Sequence, residues 1–149
     1  MTKASFMTQA MEEAHLAAKR GEVPVGAILV MDNKIIARDG NRTLEHKDPT
    51  AHAEILVIRK AAKLINSERL IGADLYVTLE PCPMCSAAIS FARIRRLYFG
   101  ASDEKSGAVE NGVRYFNNPT CHHAPEIYSR IQEAESSELL KEFFSARRK

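Results

Sequence analysis

Four residues of this chain could share one piece of chemistry: His52, Glu54, Cys82 and Cys85. An imidazole and two thiols suit three corners of a zinc tetrahedron, and a fourth corner left to water makes a catalytic site. Zinc lowers the pKa of bound water from about 15.7 to about 7, so hydroxide is within reach at neutral pH. A carboxylate beside the metal but not on it, as Glu54 would be, can carry protons between that water and a substrate. The residues stand as His52-Ala53-Glu54 and, further on, Pro81-Cys82-Pro83-Met84-Cys85. Either half alone is a weak signal. Both in order, each beside a helix-start signal, make a strong one.

The elements that carry these side chains are constrained by the same chemistry. Cys82 and Cys85 are three apart where a strand should end and a helix begin, so both sulfurs can reach one ion. Backbone N–H groups at a helix start also favour thiolate. Positions two apart in a helix interior point to nearly opposite sides. His52 and Glu54 can therefore share a pocket only if His52 sits in the first turn or just before it. Asp48-Pro49-Thr50 supplies the start signal, with Asp48 or Thr50 as the expected cap. Two helix N-termini should then converge on the metal.

Periodicity fills in the rest. Phe6, Ala10, Ala14 and Ala17 recur at helical spacing, and Gly21 closes that helix. Residues 25–31 and 34–37 read as a hairpin around Asp32-Asn33. A helix runs from the Thr50 region to about Ile65, with Ile55, Ile58, Ala62 and Ile65 on one face. Residues 74–79 read as a strand, 83–93 as a helix, 97–100 as a strand and 126–131 as a last strand. Residues 102–124 are irregular, with one short helix, and Leu139, Leu140, Phe143 and Phe144 mark a closing helix. The order predicts a single three-layer α/β domain with a mixed sheet of about five strands.

The chain has 149 residues, 45% hydrophobic and 27% charged, which suits one domain with a real core. Its net charge is only +2, so any contact with nucleic acid must come from a local patch. Three cysteines, two of them in the C-x-x-C pair, argue against a disulfide scaffold and for a reducing compartment. No signal-peptide core or membrane-length apolar run is read at this stage. The expected location is the cytoplasm, with no membrane partner.

Two other readings stay open on residues alone. C-x-x-C at a strand-to-helix junction also fits a thioredoxin-like redox motif, although that chemistry needs no H-x-E. A structural zinc site would need a fourth ligand, and Cys121, His122 and His123 are present to supply one.

H-x-E followed by P-C-x-x-C is the general signature of the zinc nucleobase deaminases. On it the chain resembles the cytidine deaminase-like superfamily, and within it the bacterial tRNA adenosine deaminases, which convert wobble adenosine to inosine. The resemblance extends to Glu22-Val23-Pro24-Val25-Gly26-Ala27, Asn41-Arg42, the stretches around both motifs, and Phe143-Phe144 with Arg147-Arg148. It implies an α/β/α cytidine deaminase-like fold and one zinc per subunit, held by His52, Cys82 and Cys85. Glu54 would be the proton shuttle. Asn41 and Ala53 would contact the flipped-out nucleotide, and Asp103, Lys105 and Ser106 would line its path. The implied partner is a tRNA anticodon stem-loop, bound by a homodimer.

The basic end, Lys141, Arg147, Arg148 and Lys149, could lie along phosphates, or be a solvated tail. Two alternative functions remain at this stage. One is a deaminase of a free nucleobase or nucleoside such as guanine or cytosine. The other is a zinc-binding module without catalysis.

Overall fold

The computed structural model describes residues 2–147. Helix α1 (Lys3–Lys19) starts on Thr2, whose side chain accepts from the Ser5 amide, and stops before Gly21 at φ +85°. Strands β1 (Gly26–Met31) and β2 (Lys34–Gly40) form a hairpin. Asp32 and Asn33 turn it with positive φ, a conformation these two residue types tolerate. Helix α2 (Ala53–Ile65) ends on Asn66 in the left-handed region. Strand β3 (Asp74–Leu79), helix α3 (Pro83–Phe91) and strand β4 (Arg96–Ala101) form a parallel crossover. A 3-10 turn (Tyr115–Asn117), strand β5 (Glu126–Tyr128) and helix α4 (Glu133–Arg147) complete the chain.

The five strands lie in the order β2-β1-β3-β4-β5, with β1 antiparallel to both neighbours and the β3, β4 and β5 pairs parallel. Alternation along the strands builds two cores. Ala27, Leu29, Leu75, Val77, Leu97 and Phe99 face α2 and α3, with Val57, Ala61 and Ile89. Ile28, Val30, Tyr76 and Tyr98 face Phe6, Met7 and Ala10 of α1. Helix α4 packs on the α1 side, where Ser136 donates to the Thr78 carbonyl. Fully burying each such aliphatic or aromatic side chain stabilises by about 1.5–3 kcal/mol. The small residues of α1 let it lie at backbone distance from the sheet. A Cβ at Gly26 would collide with the Ala10 carbonyl and the Ala14 amide.

The expected element order and three-layer architecture are those observed. The boundaries moved in several places. β2 runs on to Gly40 after a bulge opposite Leu29/Val30. β5 stops at Tyr128 because Arg130 and Gln132 take positive φ. α4 begins at Glu133, well before its apolar residues, since its first turns are acidic and carry no apolar period.

The parallel crossover positions the site. The carboxyl ends of β3 and β4 and the N-termini of α2 and α3 meet at one end of the sheet, where ligands of open α/β folds bind.

Candidate active site

His52 is the N-cap of α2, with extended backbone at φ −76°, ψ 153°. Cys82 is the N-cap of α3, at φ −75°, ψ 174°, with Pro83 at the first helical position. Neither side chain caps its helix. Both turn instead toward a common point, joined by the buried Cys85 from the first turn of α3. Because His52 lies just outside its helix, it escapes the opposition that would separate it from Glu54.

The expected cap was misplaced. Asp48 Oδ1 accepts from the amide and hydroxyl of Thr50, at 2.8 and 2.7 Å, and makes a local turn before the helix begins. The first amide of α2, that of Ala53, donates instead to Asn41 Oδ1 at 2.8 Å, from a residue twelve positions away. A cap from so distant a residue leaves no trace in local sequence. Ala53 itself is fully buried, and its amide is committed to this bond.

His52 Nδ1 stands 3.7 Å from Cys82 Sγ and 3.5 Å from Cys85 Sγ. The donor atoms all lie within 4.8 Å of one another, and among the described residues no fourth His, Cys, Asp or Glu joins them. The reading of a closed, four-ligand structural site therefore fails. Cys121 and His123 are engaged around the far end of α3. Ser90 Oγ donates to the His123 carbonyl at 2.6 Å and lies 3.5 Å from Cys121 Sγ; His123 Nε2 donates to the Ile94 carbonyl at 2.7 Å. His122 is exposed.

Burial pushes the Glu54 carboxyl up to about 7, against the pull of its own amide and of His52. The Cys82 thiol falls to about 4, chiefly through its hydrogen bond with Cys85. Cys85 is pushed up in return by Cys82 and by burial. Thiolate at a helix start is the form a metal needs.

A cavity of about 220 Å³ opens over these groups, lined by Asn41, Thr43, His52, Glu54, Glu80, Cys82, Asp103 and Ser106 with Val23, Val25 and Leu79. Past Val23, Leu79, Asp103 and Ser106 it continues into a groove of about 590 Å³, bounded by Lys105 and by Leu140 and Phe144 of α4. Of the residues expected to contact substrate, Asn41, Asp103 and Ser106 thus reach the cavity itself. Lys105 reaches only the groove. Arg147 folds back on the protein: its guanidinium stacks 3.9 Å from the Phe143 ring centroid and donates to the Gly21 carbonyl at 3.2 Å. Arg148 lies outside the described residues.

Two buried glutamates escaped the sequence reading of roles. Glu22 accepts from the amides of Leu44 and Glu45, at 3.1 and 2.9 Å, and from the Thr43 hydroxyl. It holds the loop that brings Thr43 to the cavity. Glu80 does the same for the opposite wall. Burial pushes its carboxyl up, but the Asp103 and Glu110 amides and the Asn111 side chain outweigh this and hold it below the usual range. Nothing in local spacing marks either residue, because each meets its partners only across the fold.

Asn41 gives a separable prediction. Asn41→Ala strands the Ala53 amide and should cost about 1–2 kcal/mol of stability, read by chemical denaturation. Asn41→Asp keeps the acceptor and should retain that stability, while replacing the remaining amide NH2 at the cavity with an oxygen and lowering turnover.

The fold, with an imidazole and two sulfurs at two helix starts beside a buried carboxylate, defines a deaminase of the cytidine deaminase-like class. Residues 1–148 match the profile of the MafB19-like deaminases. A tRNA-specific adenosine deaminase of Agrobacterium fabrum is 64% identical over 143 residues, 96% of this chain and 94% of that protein. A structure from studies of A-to-I editing by tRNA:A34 deaminases at the wobble position superposes with a TM-score of 0.92 at 64% identity. That match covers 93% of this chain and 100% of the other. The chain belongs to the family of tRNA-specific adenosine deaminases. A guanine deaminase from Nitrosomonas europaea shares the fold alone, with a TM-score of 0.78 at 18% identity over 97% of this chain and 85% of that one.

Proposed function

We propose that this protein hydrolyses the wobble adenosine of a tRNA anticodon loop to inosine and ammonia, with one zinc per subunit held by His52, Cys82 and Cys85. The observation that carries this reading is the open three-donor cluster beside the buried, cavity-lining Glu54. A tetrahedral ion with zinc's bond lengths asks for N···S separations of about 3.6 Å. The observed 3.7 and 3.5 Å fit that demand. Two thiols and an imidazole are also a donor set that suits zinc.

When bound, the ion supplies the Lewis acidity that makes water a nucleophile near neutral pH. The protein supplies everything else. Glu54 takes a proton from the water and delivers it to the adenine ring nitrogen beside the reacting carbon. As the C–N bond to the amino group breaks, Glu54 takes the remaining proton from the hydroxyl now on that carbon and passes it to the departing nitrogen, which leaves as ammonia while the carbonyl of inosine forms. Burial favours this traffic, since a carboxyl near 7 gives and takes protons with similar ease. Asn41 fixes the start of α2, and so the His52-Glu54 pair, while facing the cavity.

The cavity opens directly into the groove beside Lys105, Leu140 and Phe144, which supports a base delivered on a longer strand over a free base sealed inside. A loop nucleotide also costs less to expose than one in a duplex. We further infer a homodimer in the cytoplasm. The family resemblance supports the homodimer, and three free cysteines support a reducing compartment.

The test is inosine formation and ammonia release on an anticodon stem-loop with a wobble adenosine, beside free adenine, guanine, cytosine and their nucleosides. Inosine at the wobble base with the free compounds inert is the expected result. Turnover of a free base alone would keep the hydrolytic site and overturn the substrate.

A further inference from the structure

One buried carboxylate ties the metal-donor turn to a wall of the cavity. Glu80 follows β3 directly, stands two residues before Cys82 and is 2% exposed. All its hydrogen-bond donors are neutral. Oε1 accepts from the Ser102 hydroxyl at 3.3 Å, the Asp103 amide at 3.0 Å and the Asn111 side-chain amide at 2.7 Å. Oε2 accepts from the backbone amides of Val109, Glu110 and Asn111 at 3.0, 2.8 and 3.1 Å. A buried carboxylate is costly unless its lone pairs are satisfied. Here both ends of the 102–111 loop converge to satisfy them.

That loop presents Asp103 and Ser106 to the cavity. Asp103 Oδ1 in turn accepts from the amides of Lys105 and Ser106 at 3.1 and 3.0 Å, which sets the tip of the loop. The loop is also pinned to the donor turn, since the Ala108 amide donates to the Pro81 carbonyl at 2.9 Å. Gly107 makes the enclosure possible: a Cβ there would lie 2.5 Å from the Glu80 carboxyl carbon. One side chain therefore governs how far the Asp103-Ser106 wall stands from His52, Cys82 and Cys85.

We propose that Glu80 is a positioning residue, whose carboxylate fixes the 102–111 loop against the donor turn and so seats the target nucleotide. The proposal rests on the deaminase reading above. It concerns seating, not metal retention, and that difference makes it testable.

The experiment compares the zinc-loaded protein with its Glu80→Gln variant. Glutamine keeps the shape but turns an NH2 group onto amide donors that need an acceptor. Zinc content, kcat and KM on the anticodon stem-loop, and hydrogen exchange at the Asp103, Val109, Glu110 and Asn111 amides are measured together. The expected result is one zinc per chain, KM raised about tenfold, kcat changed less than about threefold, and faster exchange at those amides. An Ile28→Val control, in the core on the opposite face of the sheet, should lose thermal stability without raising KM. An unchanged KM, an equal rise in the control, or loss of zinc in step with activity would overturn the proposal.

If Glu80→Gln does not fold, Asn111→Ala removes the side-chain bonds to Glu80 and Ser102 from the outer edge of the loop. It should raise KM about threefold with zinc retained, and an unchanged KM there counts against the role. If the native protein leaves every stem-loop untouched, the proposed function fails separately. Glu80 is then judged by exchange alone. Lost protection at the loop amides supports the role, and retained protection overturns it.

Discussion

Replacing Glu54 with alanine is expected to lower kcat for inosine formation by about a thousandfold or more while zinc stays at one per chain. General acid–base groups contribute about 10²–10⁴-fold, and Glu54 is asked to act at more than one proton transfer. Its carboxyl is not among the three clustered donors, so its removal leaves that cluster intact. It sits at the second position of α2, buried to 4% exposure, with His52 and the two cysteines beside it. The measurement is single-turnover inosine formation alongside metal analysis on the same sample. Zinc lost in parallel with activity would make Glu54 a structural element of the metal site. Activity kept within about tenfold of the native protein would remove it from the mechanism.

Cys85→Ala should have the other large effect, and through a different property. Cys85 is fully buried at the first turn of α3, its sulfur 3.5 Å from His52 Nδ1. Without it only two donors remain, and the variant should be purified with little or no zinc and no detectable deamination. Metal affinity that is lost is also folding free energy that is lost. The native holoenzyme should therefore melt at a higher temperature than this variant, and added zinc should raise the melting temperature of the native protein alone. The pair of variants separates the roles: Glu54→Ala keeps metal and loses chemistry, Cys85→Ala loses both. A Cys85→Ala protein that kept full zinc would show that the cluster uses other ligands.

Some of this was legible in the chain before any fold. His52, Glu54, Cys82 and Cys85 announce themselves because metal chemistry demands particular residue types at short spacings. Helix geometry then requires His52 to lie at a helix boundary, as it does. The alternating strands and the small-residue stripe of α1 are likewise local patterns, and they fixed the α/β architecture. What covers the basic end was not legible. The sequence offers Arg147 as a free charge, whereas the fold stacks it on Phe143 and ties it to Gly21. Phe143 is itself buried, so removing the tail from there would also unpack α4.

The candidate reactive groups, their order and the layers that hold them are legible in the chain alone, since each depends on spacings of a few residues. It took the folded chain to show that Asn41 caps α2, that Cys121 and His123 stand apart from the His52-Cys82-Cys85 cluster, and that Glu22 and Glu80 brace facing walls of the cavity. Those contacts join residues far apart in the chain. A hydrogen bond between distant residues leaves no period or motif behind, because it exists only once packing has brought donor and acceptor together.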